Sequence, residues 1–399
     1  MPSSPFPTPH AARQTAIGAA LLLAIFELAS VWFVMPLPGS QRIRSLELAY
    51  ALHASRWVVR AVLAAAWGAG IVRGVAGAGR WGWGIAGATA VAAAVAGMVH
   101  TQMAADRIFL PPTVVRMATL AENAIADDRL VVGVAQGDEA RAYPLQAIGY
   151  HHQVRDSLAG QPILVTYCTV CRTGRVFVPV VDGVPETFRL VGMDRFNAML
   201  EDSRTGSWWR QANGEAVAGP KRGTLLEEIP SRQMTLRQWR LLHPGTRVMQ
   251  LDPAFADRYD RSYAYERGTS RTRLTGTDPR PWQEKSWVVG VAVRGAARAY
   301  DWGMLVRERV IHDTLGGRPI VIAVAADSAS FAAFVRPDTA WRAAMVGDSL
   351  VAGGGRWALS GRGIGAPLEA LAASQEYWHS WRTFQPTTTR FRAAGEPAP

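Results

Sequence analysis

The pattern of apolar and polar residues changes near residue 100 of the chain. Before that point, long apolar runs carry few charges, and after it, short segments alternate apolar and polar side chains between Gly and Asp turns. Long apolar runs are typical of membrane-spanning helices, whereas alternation is typical of half-buried β-strands. We therefore predict a membrane domain over residues 1–100, followed by an α+β, β-rich soluble portion.

The membrane domain is predicted to contain three transmembrane helices. About 20 apolar residues suffice to cross a bilayer, and three runs reach that length, at residues 15–35, 57–75 and 81–99. The first contains a single acid, Glu27, and the second contains Arg60 and Arg73. A signal peptide is the alternative for the first run, but its apolar core spans only about 7–15 residues. The predicted partner of this domain is the lipid bilayer. The numbers of arginines on the two sides of the predicted helices are too similar to decide the orientation in the membrane.

The soluble portion contains an internal repeat with a constant offset of 157 residues. The matched segments are 131–135 with 288–292, 140–143 with 297–300, Asp156 with Asp313, Gly160 with Gly317, and 162–163 with 319–320. An offset this long indicates a duplicated domain, since solenoid units are about 20–45 residues long. We predict a first copy over 105–255, a connector over 256–282, a second, degenerate copy over 283–390 and a disordered tail over 391–399.

Within each copy the pattern predicts a hairpin, a short helix and a second hairpin. In the first copy, a two-residue turn at Ala159 and Gly160 would place residue 158 opposite 161 and residue 154 opposite 165. Extending that ladder places His151 opposite Cys168. Opposed side chains have Cβ atoms about 4.5–5.5 Å apart, so these two would meet.

The chain has two cysteines, Cys168 and Cys171, in the segment YCTVCR at the end of an apolar strand. Attachment of a c-type haem requires His where Arg172 stands. A thioredoxin-like dithiol requires a helix start where a strand is predicted, although Arg172 could still stabilise a thiolate. Two thiolates and His151 would give three ligands and an open fourth position, which suits copper or zinc. A buried structural pair, or a local disulfide, is the remaining hypothesis.

The second copy favours a functional role for this pair. Ala325, Ser328 and Glu308 stand there in place of Cys168, Cys171 and His151, while the shared Arg, Tyr, Asp and Gly positions are retained. The predicted domain can therefore be built without thiols.

The charge of the chain does not indicate a nucleic-acid partner. The net charge is +11, but 41 of the 43 basic residues are arginines, and they are scattered without an aromatic-interleaved patch. A polar and aromatic cluster formed by Asn197 and residues 205–211 could line a pocket, although a Trp-rich core edge is the favoured interpretation.

Four segments resemble the family known as domain of unknown function 3179. They are residues 139–144 (EARAYP), 150–156 (YHHQVRD), 166–174 (TYCTVCRTG) and 205–211 (TGSWWRQ). His151 falls on the family histidine, whereas CTVCR replaces the family pattern CPLCG. The resemblance implies no assigned activity. It does imply an exported or membrane-anchored protein, here a protein of the bacterial inner membrane with its soluble portion outside the cytoplasm.

The sequence therefore predicts an integral membrane protein with one site at His151, Cys168 and Cys171. That site would bind a transition metal, copper or zinc, or carry out thiol redox chemistry. The alternative is a non-enzymatic binding or scaffolding module with structural thiols and a Trp-rich second copy as its interaction surface. Whether the protein is an enzyme, and which substrate or protein partner it has, stays open.

Overall fold

The structure, a computed structural model, describes residues 8–43, 45–74 and 79–393. Three helices come first, α1 (Pro9–Trp32), α2 (Leu46–Gly74) and α3 (Arg80–Met98), and a π-helical turn extends the third to Met103. All three are long and apolar enough to cross a membrane, as predicted. Most of the tail predicted as disordered lies outside the described residues, which end at residue 393.

Small residues let these helices approach closely. A methyl group added to Gly70 would lie 2.7 Å from the carbonyl oxygen of Ala12 and 2.9 Å from the methyl carbon of Ala16. Such close backbone contacts are typical of helix packing in membranes. The one acid of the first helix, Glu27, is buried against α2, where Arg60 donates to both carboxylate oxygens at 2.7 and 2.8 Å.

Helix α2 begins eleven residues before the predicted span, at Leu46 instead of residue 57. Its first turns pack against the β-rich portion instead of continuing the apolar run. The hydroxyl of Tyr50 donates to the carbonyl of Gly206 at 3.2 Å, and His53 Nε2 lies 2.6 Å from a carboxylate oxygen of Glu201. The polar residues of these turns therefore attach the helices to the β-rich portion.

The first β-rich half, as we call the segment from α4 to β15, carries three short helices and fifteen strands. The helices are α4 (Ala105–Ile108), α5 (Leu145–His151) and α6 (Leu236–Leu242). The strands are β1 (Met117–Ala118), β2 (Leu130–Gln136), β3 (Glu139–Pro144), β4 (Gln153–Leu158), β5 (Gln161–Cys168), β6 (Thr173–Phe177), β7 (Val180–Val181), β8 (Val184–Pro185), β9 (Phe188–Asp194), β10 (Asn197–Asp202), β11 (Trp208–Arg210), β12 (Ala216–Ala218), β13 (Glu228–Ile229), β14 (Ser231–Thr235) and β15 (Arg247–Met249). They form sheets in the orders β1-β15-β3-β2-β14, β13-β6-β5-β4 and β12-β11-β10-β9, and a ribbon of β7 and β8.

The second β-rich half runs from β16 to β27 and carries two short helices, α7 (Trp302–Glu308) and α8 (Trp378–Phe384). Its strands are β16 (Trp287–Val293), β17 (Ala296–Asp301), β18 (Val310–Leu315), β19 (Arg318–Val324), β20 (Phe331–Val335), β21 (Ala344–Val346), β22 (Ser349–Ala352), β23 (Gly355–Trp357), β24 (Gly363–Ile364), β25 (Ala370–Leu371), β26 (Ala373–Tyr377) and β27 (Thr389–Arg390). Its sheets have the orders β26-β16-β17-β27, β18-β19-β20-β25 and β21-β22-β23-β24. The molecule is thus α+β, with three apolar helices ahead of a β-rich portion.

The predicted hairpins form with the predicted register. In the β4–β5 hairpin, Leu158 pairs with Gln161 and Val154 pairs with Val165. The turn residue Ala159 has φ +48° and the following glycine has φ +77°, as a two-residue turn of the I′ type requires.

Both halves also contain a tryptophan packed on a glycine of the central strand. The indole of Trp239 lies over Gly133, and the indole of Trp381 lies over Gly290. The indole N–H then donates to a threonine hydroxyl, at 2.9 Å in the first half and 2.8 Å in the second. Only glycine leaves room for such a contact, since an added Cβ would lie within 2.4 Å of either ring.

The two halves meet along the last long strand of each central sheet. Gln233 in β14 donates from Nε2 to Oε1 of Gln375 in β26 at 2.9 Å. The backbone of β26 also contacts the segment that contains the cysteines: the N–H of Tyr377 donates to the carbonyl of Cys171 at 2.9 Å. The interface between the halves therefore borders the site predicted from the cysteines.

Candidate functional site

Cys168 and Cys171 are joined as a disulfide across the turn that connects β5 to β6. Both residues are buried, with 1% and 0% of their surface exposed. The N–H of Arg172, in a left-handed conformation with φ +60°, donates to the carbonyl of Cys168 at 2.7 Å and closes the turn. We call residues 168–172 the disulfide turn.

Side chains and backbone from outside the disulfide turn hold its carbonyl oxygens. The donors are the Tyr265 hydroxyl to Thr169 at 3.1 Å, Lys285 Nζ to Val170 at 2.6 Å, His379 Nε2 to Val170 at 3.0 Å and the Tyr377 N–H to Cys171 at 2.9 Å. Tyr265 lies in the predicted connector, Lys285 lies just before β16, and Tyr377 and His379 belong to the second β-rich half. The turn is therefore fixed by residues more than 90 positions away in the sequence.

The guanidinium group of Arg172 contacts residues outside the disulfide turn. Its guanidinium stacks on the ring of Trp287 at 3.5 Å and donates from Nε to Gln375 at 3.2 Å and from Nη1 to the carbonyl of Tyr265 at 3.2 Å. These contacts join the first half to the second, whereas stabilisation of a thiolate by Arg172 stays a prediction for the reduced protein.

His151 does not face Cys168 across a strand ladder. The pairing of β4 with β5 ends at Gln153 and Thr166, because His152 adopts φ +61° and ends helix α5. His151 is the last residue of that helix, so the expectation that the ladder extends to it is wrong. The left-handed residue breaks the ladder and turns the chain.

Both ring nitrogens of His151 already have partners. Nδ1 lies 2.6 Å from the carbonyl oxygen of Leu110, and Nε2 lies 2.8 Å from the hydroxyl of Tyr259. Burial lowers the pKa of His151, although the hydrogen bond with Leu110 opposes the shift. Across residues 8–43, 45–74 and 79–393, no group of three or more His, Cys, Asp and Glu side chains is arranged to hold a metal ion.

The cluster at Asn197 and residues 205–211 forms part of the core, as the sequence favoured. Trp208 and Trp209 are buried, and their indole N–H groups donate to Glu201 and Asp202 at 2.9 and 2.8 Å. Burial raises the pKa of Glu201, but the hydrogen bond from His53 and the charge of Arg189 outweigh burial and bring it to about 2.

A cavity of about 640 Å³ lies beside the disulfide turn. Its wall contains Lys285 and His379, which hold the carbonyl of Val170, and Phe196, whose carbonyl oxygen lies 3.9 Å from Sγ of Cys168. The loop of residues 36–43, between α1 and α2, forms another part of the wall. The cavity therefore adjoins both the disulfide turn and the ends of the apolar helices. We call it the basic cavity.

Positive charge dominates the lining of the basic cavity. Five cationic side chains line it, against one carboxylate, that of Glu284; the cations are Arg42, Arg195, Arg273, Lys285 and Arg382. Arg382 lies 3.8 Å from Glu284. Within the part of the chain that the structure describes, no ion pair or side-chain hydrogen bond engages the guanidinium groups of Arg42, Arg195 and Arg273. Unpaired guanidinium groups around a cavity favour an anionic occupant.

Two titratable groups in the wall are shifted towards their neutral forms. Burial lowers the pKa of Lys285 to about 7, against the weaker opposing effect of the Glu284 charge. Burial, and then the charge of Lys285, lower the pKa of His379 to about 3. His379 is therefore a neutral imidazole near pH 7.

The sequence did not point to Lys285, His379 or the arginines of this cavity. They come from segments that share no motif and meet only in the folded chain. One signal was present: Lys285 is one of two lysines in a chain with 43 basic residues. A lysine in such an arginine-rich chain is a reasonable candidate for a specific role.

Fold and site together define an α+β protein with three apolar helices and a disulfide turn held between two β-rich halves. The chain belongs to the family described as protein of unknown function, DUF3179, whose family model matches residues 110–388. The comparisons found no match among curated proteins and none among solved structures.

Proposed function

We propose that this protein is a membrane-anchored binding protein for a small anionic ligand held in the basic cavity. The observation that carries the proposal is the charge of the lining, with five cationic side chains against one carboxylate. Among the residues that the structure describes, no ion pair or side-chain hydrogen bond engages three of these cations, Arg42, Arg195 and Arg273. Guanidinium groups match the paired oxygens of carboxylates and phosphates, so a ligand with one of these groups fits best.

The size and position of the cavity support a small ligand that arrives near the membrane surface. A volume of about 640 Å³ lies within the usual range for small-molecule sites. Residues 36–43 lie in the loop that follows α1, so the cavity lies near the end of an apolar helix. Both a soluble anion and a lipid head group offer the required oxygens.

We also infer that the two β-rich halves descend from one duplicated domain. The constant offset of 157 residues supports this, as do the tryptophan-on-glycine contacts at Trp239 and Trp381. The formed disulfide supports a location of the β-rich portion outside the cytoplasm of a bacterial inner membrane, since disulfides persist in oxidising compartments.

Thiol redox chemistry is a second candidate, favoured by the pairing of Cys168 and Cys171 as a disulfide. Thiol exchange requires the turn to open, because both sulfurs are buried.

Copper or zinc binding by Cys168, Cys171 and His151 is a proposal for the reduced protein alone, since thiolates are the metal ligands. It also requires His151 to release Leu110 and Tyr259. Metal content and thiol titration of the reduced protein test both ideas, with Cys168→Ser as the control.

Thermal unfolding of the detergent-solubilised full-length protein tests the anion site. Inorganic phosphate is expected to raise the melting temperature of the wild type, because a ligand that binds only the folded state stabilises it. Arg195→Gln with Arg273→Gln should abolish most of that rise. Arg307→Gln is the matched control, since Arg307 is exposed on α7 and pairs with Glu308. An equal rise in all three proteins would refute the site.

The source of the anion is tested with nanodiscs of two compositions. If a lipid head group is the ligand, phosphatidylglycerol should compete with phosphate, whereas phosphatidylcholine should not. Equal phosphate binding in both nanodiscs indicates a soluble ligand.

A further inference from the structure

Lys285 differs from the arginines that line the basic cavity because its amine donates a hydrogen bond to the disulfide turn. Its Nζ donates to the carbonyl of Val170 at 2.6 Å, lies 4.5 Å from the ring centre of Tyr377 and 3.4 Å from Nε2 of His379. Among the described residues, no ion pair joins Lys285 to an acid, whereas the other lysine, Lys221, lies 2.5 Å from Asp182. The two lysines of the chain therefore differ in their partners: Lys221 pairs with a carboxylate, whereas Lys285 donates to a backbone carbonyl.

The choice of lysine at this position has a chemical consequence. The buried cations among the described residues are arginines, Arg129, Arg172 and Arg336, and arginine does not lose its proton in proteins. A lysine can become a neutral amine, and burial lowers the pKa of Lys285 to about 7. A substantial fraction of Lys285 is therefore an uncharged nucleophile under neutral conditions.

We propose that Lys285 forms an imine with the carbonyl carbon of an anionic carbonyl compound, of the 2-oxo acid class, held in the basic cavity. The proposal rests on the proposed function, since Arg195, Arg273 and their neighbours would bind the carboxylate and leave the carbonyl group towards Lys285. It adds a substrate class and a covalent step to simple anion binding.

The step balances without an oxidant or reductant. The neutral amine attacks the carbonyl carbon, a carbon–nitrogen bond forms, and the carbonyl oxygen takes up a proton from the nitrogen. The carbon–oxygen bond then breaks, and the oxygen leaves as water with both hydrogens that the amine carried. The neutral imine can then take up a proton from solvent, and neutral His379, 3.4 Å from Nζ, adds no second charge to oppose it.

Reductive trapping tests the proposal on the full-length protein in detergent. Pyruvate and cyanoborohydride are added at neutral pH, and peptide mass spectrometry locates the reduced adduct. We expect labelling at Lys285 and little at Lys221, which serves as the internal control. Acetone carries the same carbonyl without the carboxylate and should label Lys285 about tenfold more slowly, because the arginines concentrate the anion.

Variants keep the test independent of folding. Lys285→Arg retains the charge and should lose the adduct, and Lys221→Gln should be labelled as the wild type is. Labelling of Lys221 as fast as Lys285, equal labelling by acetone, or no adduct at Lys285 each overturns the proposal. If the phosphate response survives while the adduct is absent, only the imine fails. If the phosphate response is absent as well, the anion site itself fails.

Discussion

The two β-rich halves build the turn after their long central strand in different ways. In the first half, the disulfide of Cys168 and Cys171 closes the turn. In the second half, the carboxylate of Asp327 accepts hydrogen bonds from the N–H and hydroxyl groups of Ser330 and from the hydroxyl of Thr235. Hydrogen bonds therefore hold the turn of the second half, whereas a disulfide closes the turn of the first half.

The surroundings of the two turns differ more than the turns themselves. Lys285 and His379 meet the carbonyl of Val170 in the first turn, and both line the basic cavity. Position 170 corresponds to Asp327 at the offset of 157, where the side chain is used within the turn. Val170 has no side-chain carboxylate, and its backbone carbonyl is held by Lys285 and His379 instead. Both turns join two antiparallel strands, and the disulfide turn also contacts Lys285 and His379 of the basic cavity.

The largest expected effect tests what the halves share. Gly133→Ala and Gly290→Ala each place a Cβ within 2.4 Å of an indole ring, so each should destabilise the protein by about 3 kcal/mol, the upper end for overpacking. Denaturant unfolding of the full-length protein measures both changes. Gly245→Ala is the control, because nothing lies within 4 Å of its added Cβ. If only one of the two substitutions destabilised the protein, the two tryptophan-on-glycine contacts would not be structurally equivalent.

The next effect tests the second turn alone. Asp327→Ala removes four hydrogen bonds, to Ala329, Thr235 and two groups of Ser330. We expect a loss of about 2–3 kcal/mol in unfolding free energy, with phosphate binding unchanged. If phosphate binding falls as much as in the arginine variants, the division of roles between the turns is wrong.

A smaller loss of unfolding free energy is expected when the cysteines of the disulfide turn are replaced by the residues at the matching positions of the second half. Cys168→Ala with Cys171→Ser copies Ala325 and Ser328. Removing a disulfide across so short a loop should lower stability by about 2 kcal/mol while the protein still folds. Phosphate affinity should fall, because the carbonyl of Val170 then holds Lys285 and His379 less firmly. Full affinity in the double variant would show that the disulfide does not organise the cavity.

The smallest effect is a pH dependence specific to Lys285. Its folded pKa of about 7 lies below the model-peptide value of 10.5, so the unfolded chain binds more protons above pH 7. Stability relative to Lys285→Gln should therefore rise with pH, by about 1 kcal/mol between pH 7 and pH 8. Urea unfolding at several pH values measures it, and Lys221→Gln should show no such trend against the wild type. A flat difference for Lys285→Gln would mean that the amine keeps its proton.

The hairpin register and the three apolar helices were predictable because they depend on local patterns. The turn residues Ala159 and Gly160 fix the ladder of β4 and β5, and apolar runs of about 20 residues identify the helices. The position of His151 was not predictable from that register, because the left-handed His152 ends the ladder. Lys285 and His379 lie 115 and 209 residues from Val170. No local pattern records such a contact.

Equilibrium dialysis with radiolabelled inorganic phosphate tests the central claim most directly. One anion site is proposed beside the disulfide turn, and none beside the turn that contains Asp327. One phosphate should therefore bind per chain in the detergent-solubilised full-length protein, and this binding should be lost in the double variant Arg195→Gln with Arg273→Gln. Two equivalent phosphates per chain, or one that persists in that double variant, would contradict it.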